Sequence, residues 1–233
     1  MASITHNLHQ VRHQIREACE RAGRPVDSVR LLAVSKTKPV SCIQEAVAAD
    51  QWLFGENRVQ EARLKIPQLA LPKAAFHFVG PLQRNKVKEA VALFQMIESL
   101  DSLELAEEIQ RRSPKAMPVL VQVNVGREPQ KRGFLPEQLR EALLVLAEMD
   151  KLQIKGLMTM HPLTDNGENS RPLFRHLADL AQEMKLLAIP GVEMEELSMG
   201  MSRDFTIAIQ EGATLVRVAS AIFGPPVQKN FLP

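Results

Sequence analysis

The chain has 233 residues, 45% of them hydrophobic and 24% charged, an ordinary globular balance with enough length for one sizeable core. Its net charge of +2 is too small for the electrostatic footprint of a nucleic-acid binder, and no apolar run approaches the length of a membrane span. The opening "MASITHNLHQVRHQIREACERAGR" lacks a signal-peptide apolar block, and Cys19 and Cys42 read as thiols of a reducing compartment, so a cytoplasmic protein is expected.

In chain order, Ile4, Leu8, Val11, Ile15, Ala18 and Ala22 recur at helical spacing and Gly23 offers a stop, which predicts a first helix. Short β-branched runs then alternate with longer amphipathic ones. The predicted strands are Val29–Ser35, Trp52–Phe54, Phe76–Val79, Met96–Leu100, Val119–Val125, Ile154–Met160, Glu196–Met199 and Leu215–Ala219. The helices between them are Ser41–Ala49, Arg58–Ile66, Gln83–Leu93, Ser102–Arg112, Pro136–Glu148, Asn169–Leu187 and Arg203–Glu211. This order predicts an α/β fold: a single (β/α)8 TIM barrel over residues 1–233, preceded by the N-terminal helix and close to the ~250 residues typical of that fold. Runs such as "PVLVQVNV" suit parallel strands covered by helices. An open Rossmann-type sheet is the alternative, but no G-x-G-x-x-G follows the first strand.

Barrel chemistry sits on the loops after the strands' C-terminal ends, and one phosphate site recurs after the seventh and eighth. There "SMGMS" supplies Ser198, Gly200 and Ser202, and "ASAIFG" supplies Ala219, Ser220 and Gly224. Backbone N–H groups at a helix start suit an anion, and the two segments together make a phosphate cradle; singly, each reads as a strand end or a cap. Lys36 ends the first strand at the same mouth. Desolvated there, its amine would be driven towards the neutral form that condenses with aldehydes; as a snorkelling side chain it would simply reach water. A phosphate cradle beside such a lysine points to pyridoxal 5′-phosphate (PLP). Arg217, a charge inside the apolar "LVRVAS", is the candidate partner for the pyridine nitrogen. An arginine keeps its proton, so it would hold that nitrogen unprotonated and weaken PLP as an electron sink. The other reading of Arg217 is an ion pair with a barrel carboxylate.

These segments carry a resemblance. "LLAVSKTKP", "FGENRVQEA", "HFVGPLQRNK", "IESLDS", "IKGLMTM", "LSMGMS" and "VRVASAIFG" occur in the order and spacing of the pyridoxal phosphate homeostasis family, which the chain resembles along essentially its whole length. The resemblance implies a barrel like the N-terminal domain of alanine racemase, with PLP held as a Schiff base on Lys36. It implies phosphate contacts from Ser202 and the backbone around Ala219 and Ser220, with Ser198 and Gly200 in the same cradle. It implies Arg217 near the pyridine nitrogen, and Asn57 and Met158 lining the pocket. It also implies a role in holding and handing over PLP, with PLP-dependent apo-enzymes as recipients and no robust catalysis. Two positions depart from the family: Ala219 stands where glycine is usual, and Arg203 where an acidic residue is frequent.

Two enzyme readings compete with the carrier. The related racemases take a second base, a tyrosine, from another domain; this sequence contains no tyrosine, and no second domain is expected after Pro233. His77 or His161 would have to replace it, although His77 in "AFHFVG" reads as a barrel-interior residue. A phosphosugar aldolase using Lys36 would need an acid–base group near the lysine, for which Glu56, otherwise a cap of the next helix, is the candidate. His6, His9 and His13 share a helix face and read as solvated, and "QRNKVK" reads as a helix start without the interleaved aromatics of a nucleic-acid site. The polar helix faces permit a monomer.

Overall fold

Every described strand is parallel to its neighbours, and the order β1-β2-β3-β4-β5-β6-β7-β8 closes on itself as β1 pairs with β8. A computed structural model describes residues 3–160 and 167–225. The strands are β1 (Arg30–Val34), β2 (Leu53–Glu56), β3 (Ala75–Phe78), β4 (Met96–Leu100), β5 (Met117–Gln122), β6 (Leu152–Met158), β7 (Val192–Ser198) and β8 (Leu215–Val218). The helices are α1 (Ile4–Arg21), α2 (Val40–Ala48), α3 (Val59–Leu69), α4 (Val87–Leu93), α5 (Leu103–Arg112), α6 (Leu139–Ala147), α7 (Arg171–Leu186), α8 (Phe205–Gln210) and α9 (Ser220–Phe223). The expected barrel with its leading helix is therefore the fold. His161, one of the two histidines considered for acid–base work, lies outside the described residues.

Alternation along the strands sorts side chains into two cores. Leu31, Ala33, Val216 and Val218 face the helices and join the large core between sheet and helices. Leu32, Val34, Val79 and Leu215 form a separate cluster inside the barrel, and Met96, Leu120 and Met158 form another. Such layers make a barrel interior solid rather than a pore. Gly55 belongs to this packing: a Cβ there would lie 2.3 Å from Leu32 Cδ2, so the "FGEN" segment has no room for a side chain at that position.

Helix α1 buries Ile4, Leu8, Val11, Ile15, Ala18 and Cys19, and the Ser3 hydroxyl accepts from His6 N–H at 3.1 Å to cap it. It packs on α2, α8 and α9, over the seam where the first and last strands meet. Its other face carries His6, His9 and His13, all exposed, as a solvated face should. Cys19 and Cys42 are both free, and burial pushes the Cys19 thiol up, keeping it neutral.

Element bounds differ from the sequence reading in three instructive places. Strand β7 begins at Val192, earlier than expected, because Glu193 and Glu195 point to solvent in "VEMEELS" and hide its strand character. Helix α3 runs through Pro67 to Leu69, since a proline in the last turn removes only one hydrogen bond. The helices expected from Gln83, Pro136 and Asn169 begin with 3-10 turns before continuing as α4, α6 and α7.

Candidate functional site

The candidate residues lie at or just beyond the C-terminal ends of neighbouring strands. Met158 ends β6 and Ser198 ends β7, paired in register; Gly200 and Ser202 follow β7; Arg217, Ala219 and Ser220 belong to β8 and its exit. Lys36 follows β1 and Asn57 follows β2. Because the barrel closes between β8 and β1, these positions form one continuous arc of the rim, β6-β7-β8-β1-β2.

The segments after β7 and β8 are joined directly. Arg217 N–H donates to the Gly200 carbonyl at 3.1 Å, and Ala219 N–H donates to Ser202 Oγ at 3.1 Å. Ser202 therefore fixes the Ala219 amide, and the amides that open α9, Ser220 and Ala221, are the ones with no intrahelical partner. Gly200 sits at φ 89°, and a Cβ there would lie 2.6 Å from Ala208 Cβ and 2.9 Å from Phe205 Cα. Both the backbone conformation and the close approach of α8 require glycine. Asp204 holds the same turn, its Oδ1 accepting from Met201 N–H at 2.7 Å. The result is a tight, well-tied junction with a hydroxyl, main-chain amides and little side-chain bulk, a chemistry that suits a phosphate. Arg203, the basic departure, is exposed beside it.

Arg217 is 4% exposed. Its Nη1 donates to Ser198 Oγ at 2.6 Å and its Nη2 to the Thr159 carbonyl at 2.7 Å. Ser198 Oγ donates in turn to Glu98 Oε2 at 2.6 Å, and Glu98 Oε1 meets His77 Nδ1 at 2.7 Å. The line Arg217–Ser198–Glu98–His77 thus crosses the barrel interior from β8 through β7 to β4 and β3. Burial pushes the Glu98 carboxyl up, but the hydrogen bond and charge of His77, the Arg217 charge and the Ser198 hydroxyl outweigh it, so Glu98 is held below the usual carboxylate range. Burial draws the Arg217 guanidinium down, countered by Glu98 and Asp204; it stays charged. The barrel carboxylate anticipated for Arg217 is thus Glu98, reached through a serine rather than by direct pairing. Among the described residues, two of the five N–H groups of this guanidinium are engaged in this way.

Lys36 does not fulfil the expectation of a desolvated amine: it is exposed. Ser35 is the last fully buried residue of that segment, and the chain then turns, Lys38 N–H donating to the Ser35 carbonyl at 3.1 Å. The lysines buried nearby are Lys38 and Lys65. Glu56 does not cap α3, whose N-cap is Arg58. Its Oε1 accepts from Ser35 Oγ at 2.7 Å and pairs with Lys65 Nζ at 2.6 Å. Burial pushes the Glu56 carboxyl up despite Lys65 and Ser35. Its Oε2 is buried with no hydrogen-bond partner among the described residues.

Asn57 is half-buried, and its Oδ1 is buried without a hydrogen-bond partner among the described residues. A buried amide oxygen left so is costly, which fits a site where a ligand supplies the donor. Met158 is fully buried in the interior cluster with Met96 and Leu120, so it floors the mouth rather than projecting from it. Beside Asn57 a cavity of about 680 Å³ opens between β2 and β3, with Arg58, Lys86 and Arg132 on its walls. Glu98, His77, Thr159 and Lys65 were not singled out as partners in the sequence. The available signal was Glu98 in "MIESL", an acid in an apolar strand that, like Arg217, must find a counter-charge inside the same barrel.

The family model for the alanine racemase N-terminal domain matches residues 6–226. A pyridoxal phosphate homeostasis protein from Aquifex aeolicus is 43% identical, the match covering 93% of this chain and 96% of that one. Its namesake from Escherichia coli is 38% identical over 96% of this chain and 97% of its own. Among solved structures, PipY of Synechococcus elongatus with PLP bound superposes with a TM-score of 0.83 at 38% identity, covering 95% of this chain and all (100%) of that one. Alanine racemase from Corynebacterium glutamicum superposes with a TM-score of 0.70 at 14% identity, which shows a shared fold; the match covers 95% of this chain and 62% of the racemase. No helix among the described residues is long and apolar enough to cross a membrane.

Proposed function

The chain belongs to the pyridoxal phosphate homeostasis proteins, within the alanine racemase N-terminal domain family, and from that premise we propose that it binds PLP at the rim arc and takes part in intracellular PLP homeostasis as a carrier rather than a catalyst. The observation that carries this reading is the tied β7–β8 junction with Arg217 beside it, next to the exit of β1 where Lys36 stands. When bound, PLP would supply an aldehyde, an electrophile for a lysine amine. Lys36 provides the amine. Ser202 Oγ and the amides of Ser220 and Ala221 bind phosphate, and Gly200 keeps the approach open. Ala219 narrows the cradle by one methyl group relative to the family's glycine. Arg217 donates to the ring nitrogen and keeps it unprotonated, Ser198 holds Arg217, and Asn57 and Met158 bound the pocket.

Three features support a carrier. A charged arginine at the ring nitrogen denies PLP its protonated, electron-withdrawing form, so carbanion chemistry is weak. The sequence has no tyrosine to act as a second base. His77, the described histidine considered in its place, is buried and committed to Glu98. The barrel unit spanning residues 1–233 acts as a monomer in the cytoplasm and hands PLP to apo-enzymes.

The binding claim is tested by titrating the protein with PLP and with pyridoxal. PLP binds far more tightly than pyridoxal, and inorganic phosphate competes. Ser202→Ala removes one charge-assisted hydrogen bond, about 1.5–3 kcal/mol or roughly ten- to a hundred-fold in Kd. Equal affinities for PLP and pyridoxal contradict the cradle.

A further inference from the structure

Thr37 adopts φ 63°, a left-handed conformation that a β-branched residue rarely takes. It is held there by Glu61, whose Oε1 accepts from Thr37 N–H at 2.6 Å. On the other side of Lys36, the Ser35 carbonyl accepts from Lys65 Nζ at 2.9 Å, and Ser35 Oγ donates to Glu56 Oε1 at 2.7 Å. Lys65 sits between the two acids, 2.6 Å from Glu56 Oε1 and 2.9 Å from Glu61 Oε1. Among the described residues, every hydrogen bond that the side chains of Glu56, Glu61 and Lys65 make outside this group lands on Ser35 or Thr37, the two neighbours of Lys36.

This is an expensive arrangement for stability alone. Lys65 is 7% exposed and Glu56 fully buried, and the group holds two acids against one base. Apolar residues in such a place are often as stable or more so. What charges give, and apolar side chains do not, is fixed direction: the main chain is pinned on both sides of one residue whose own side chain is exposed.

We propose that Glu61, Lys65 and Glu56 are positioning residues for Lys36, clamping the strained turn so that Nζ is presented to an aldehyde at the mouth; this rests on the PLP reading above. The clamp acts through the backbone of Ser35 and Thr37 and the hydroxyl of Ser35.

The test follows, over time, the borohydride-trapped phosphopyridoxyl adduct at Lys36 in the full chain mixed with PLP. Glu61→Ala slows its appearance by about ten- to a hundred-fold, the scale expected when a reacting group loses its alignment. Glu61→Gln, whose amide oxygen can still accept from Thr37 N–H, recovers most of the rate. Competition by inorganic phosphate is unchanged in both, because the cradle lies on β7 and β8. Glu61→Asp keeps the charge beside Lys65 but falls a methylene short of Thr37 N–H, and slows trapping like alanine; unfolding of Glu61→Ala therefore leaves the prediction standing on aspartate. Wild-type trapping rates in folded Glu61→Ala or Glu61→Asp overturn the clamp. Absence of an adduct at Lys36 in the wild-type protein overturns the PLP reading itself and this inference with it.

Discussion

Lys36→Ala abolishes borohydride-trapped PLP while leaving the protein folded and still able to hold PLP weakly. The side chain is exposed and no described hydrogen bond of the fold depends on it, so its removal changes stability by no more than about 0.5 kcal/mol. The proposed phosphate donors, Ser202 and the start of α9, lie beyond β7 and β8 and are untouched. Affinity falls at least about ten-fold with the covalent bond, and the residual binding retains its preference for PLP over pyridoxal. Titration of the mutant, with thermal unfolding as a control, checks both halves. A folded Lys36→Ala protein with no PLP affinity at all would mean that the cradle does not bind phosphate on its own.

The largest expected loss of stability comes from Glu98→Leu. Glu98 is the acceptor for both Ser198 and His77 and the counter-charge for Arg217, all of them buried. Removing one partner of a buried charged group costs about 3–5 kcal/mol, because the remaining charge is left uncompensated. For a domain of this size each kcal/mol lowers Tm by roughly 2–4 °C. Urea unfolding measures the loss directly, and a cost under about 1 kcal/mol would show that Arg217 does not depend on Glu98. The same residue sets part of the acid limit. Its native carboxyl is held below its unfolded value of about 4.3, so its contribution is complete above that value and disappears as pH falls through the lower native one. Glu98→Gln should therefore flatten the fall in stability below about pH 4.

The barrel was legible because parallel strands buried on both faces are continuous apolar runs, and the chain separates them with helices of clear period. The rim was legible too: polar and small residues interrupt those runs at strand exits, and the two segments meet, Ser202 bonded to Ala219 and Gly200 to Arg217. What stayed hidden were partners brought together only by closure of the barrel. Nothing in "MIESL" says that its acid lies across from the arginine of "LVRVAS", or that a serine stands between them. Lys36 misled for a local reason. The apolar run before it suggests burial, but burial ends at Ser35, and the strained turn at Thr37 leaves the lysine at the surface. Lys65, four residues after Glu61, reads as one more helical ion pair until the fold turns it inward under that turn.

The central claim is that Lys36 is the residue that holds PLP. Incubating the protein with PLP, reducing with borohydride and mapping the peptides by mass tests it most directly. A single phosphopyridoxyl adduct is expected, on Lys36. No adduct, or an adduct carried instead by Lys38 or Lys65, would contradict it.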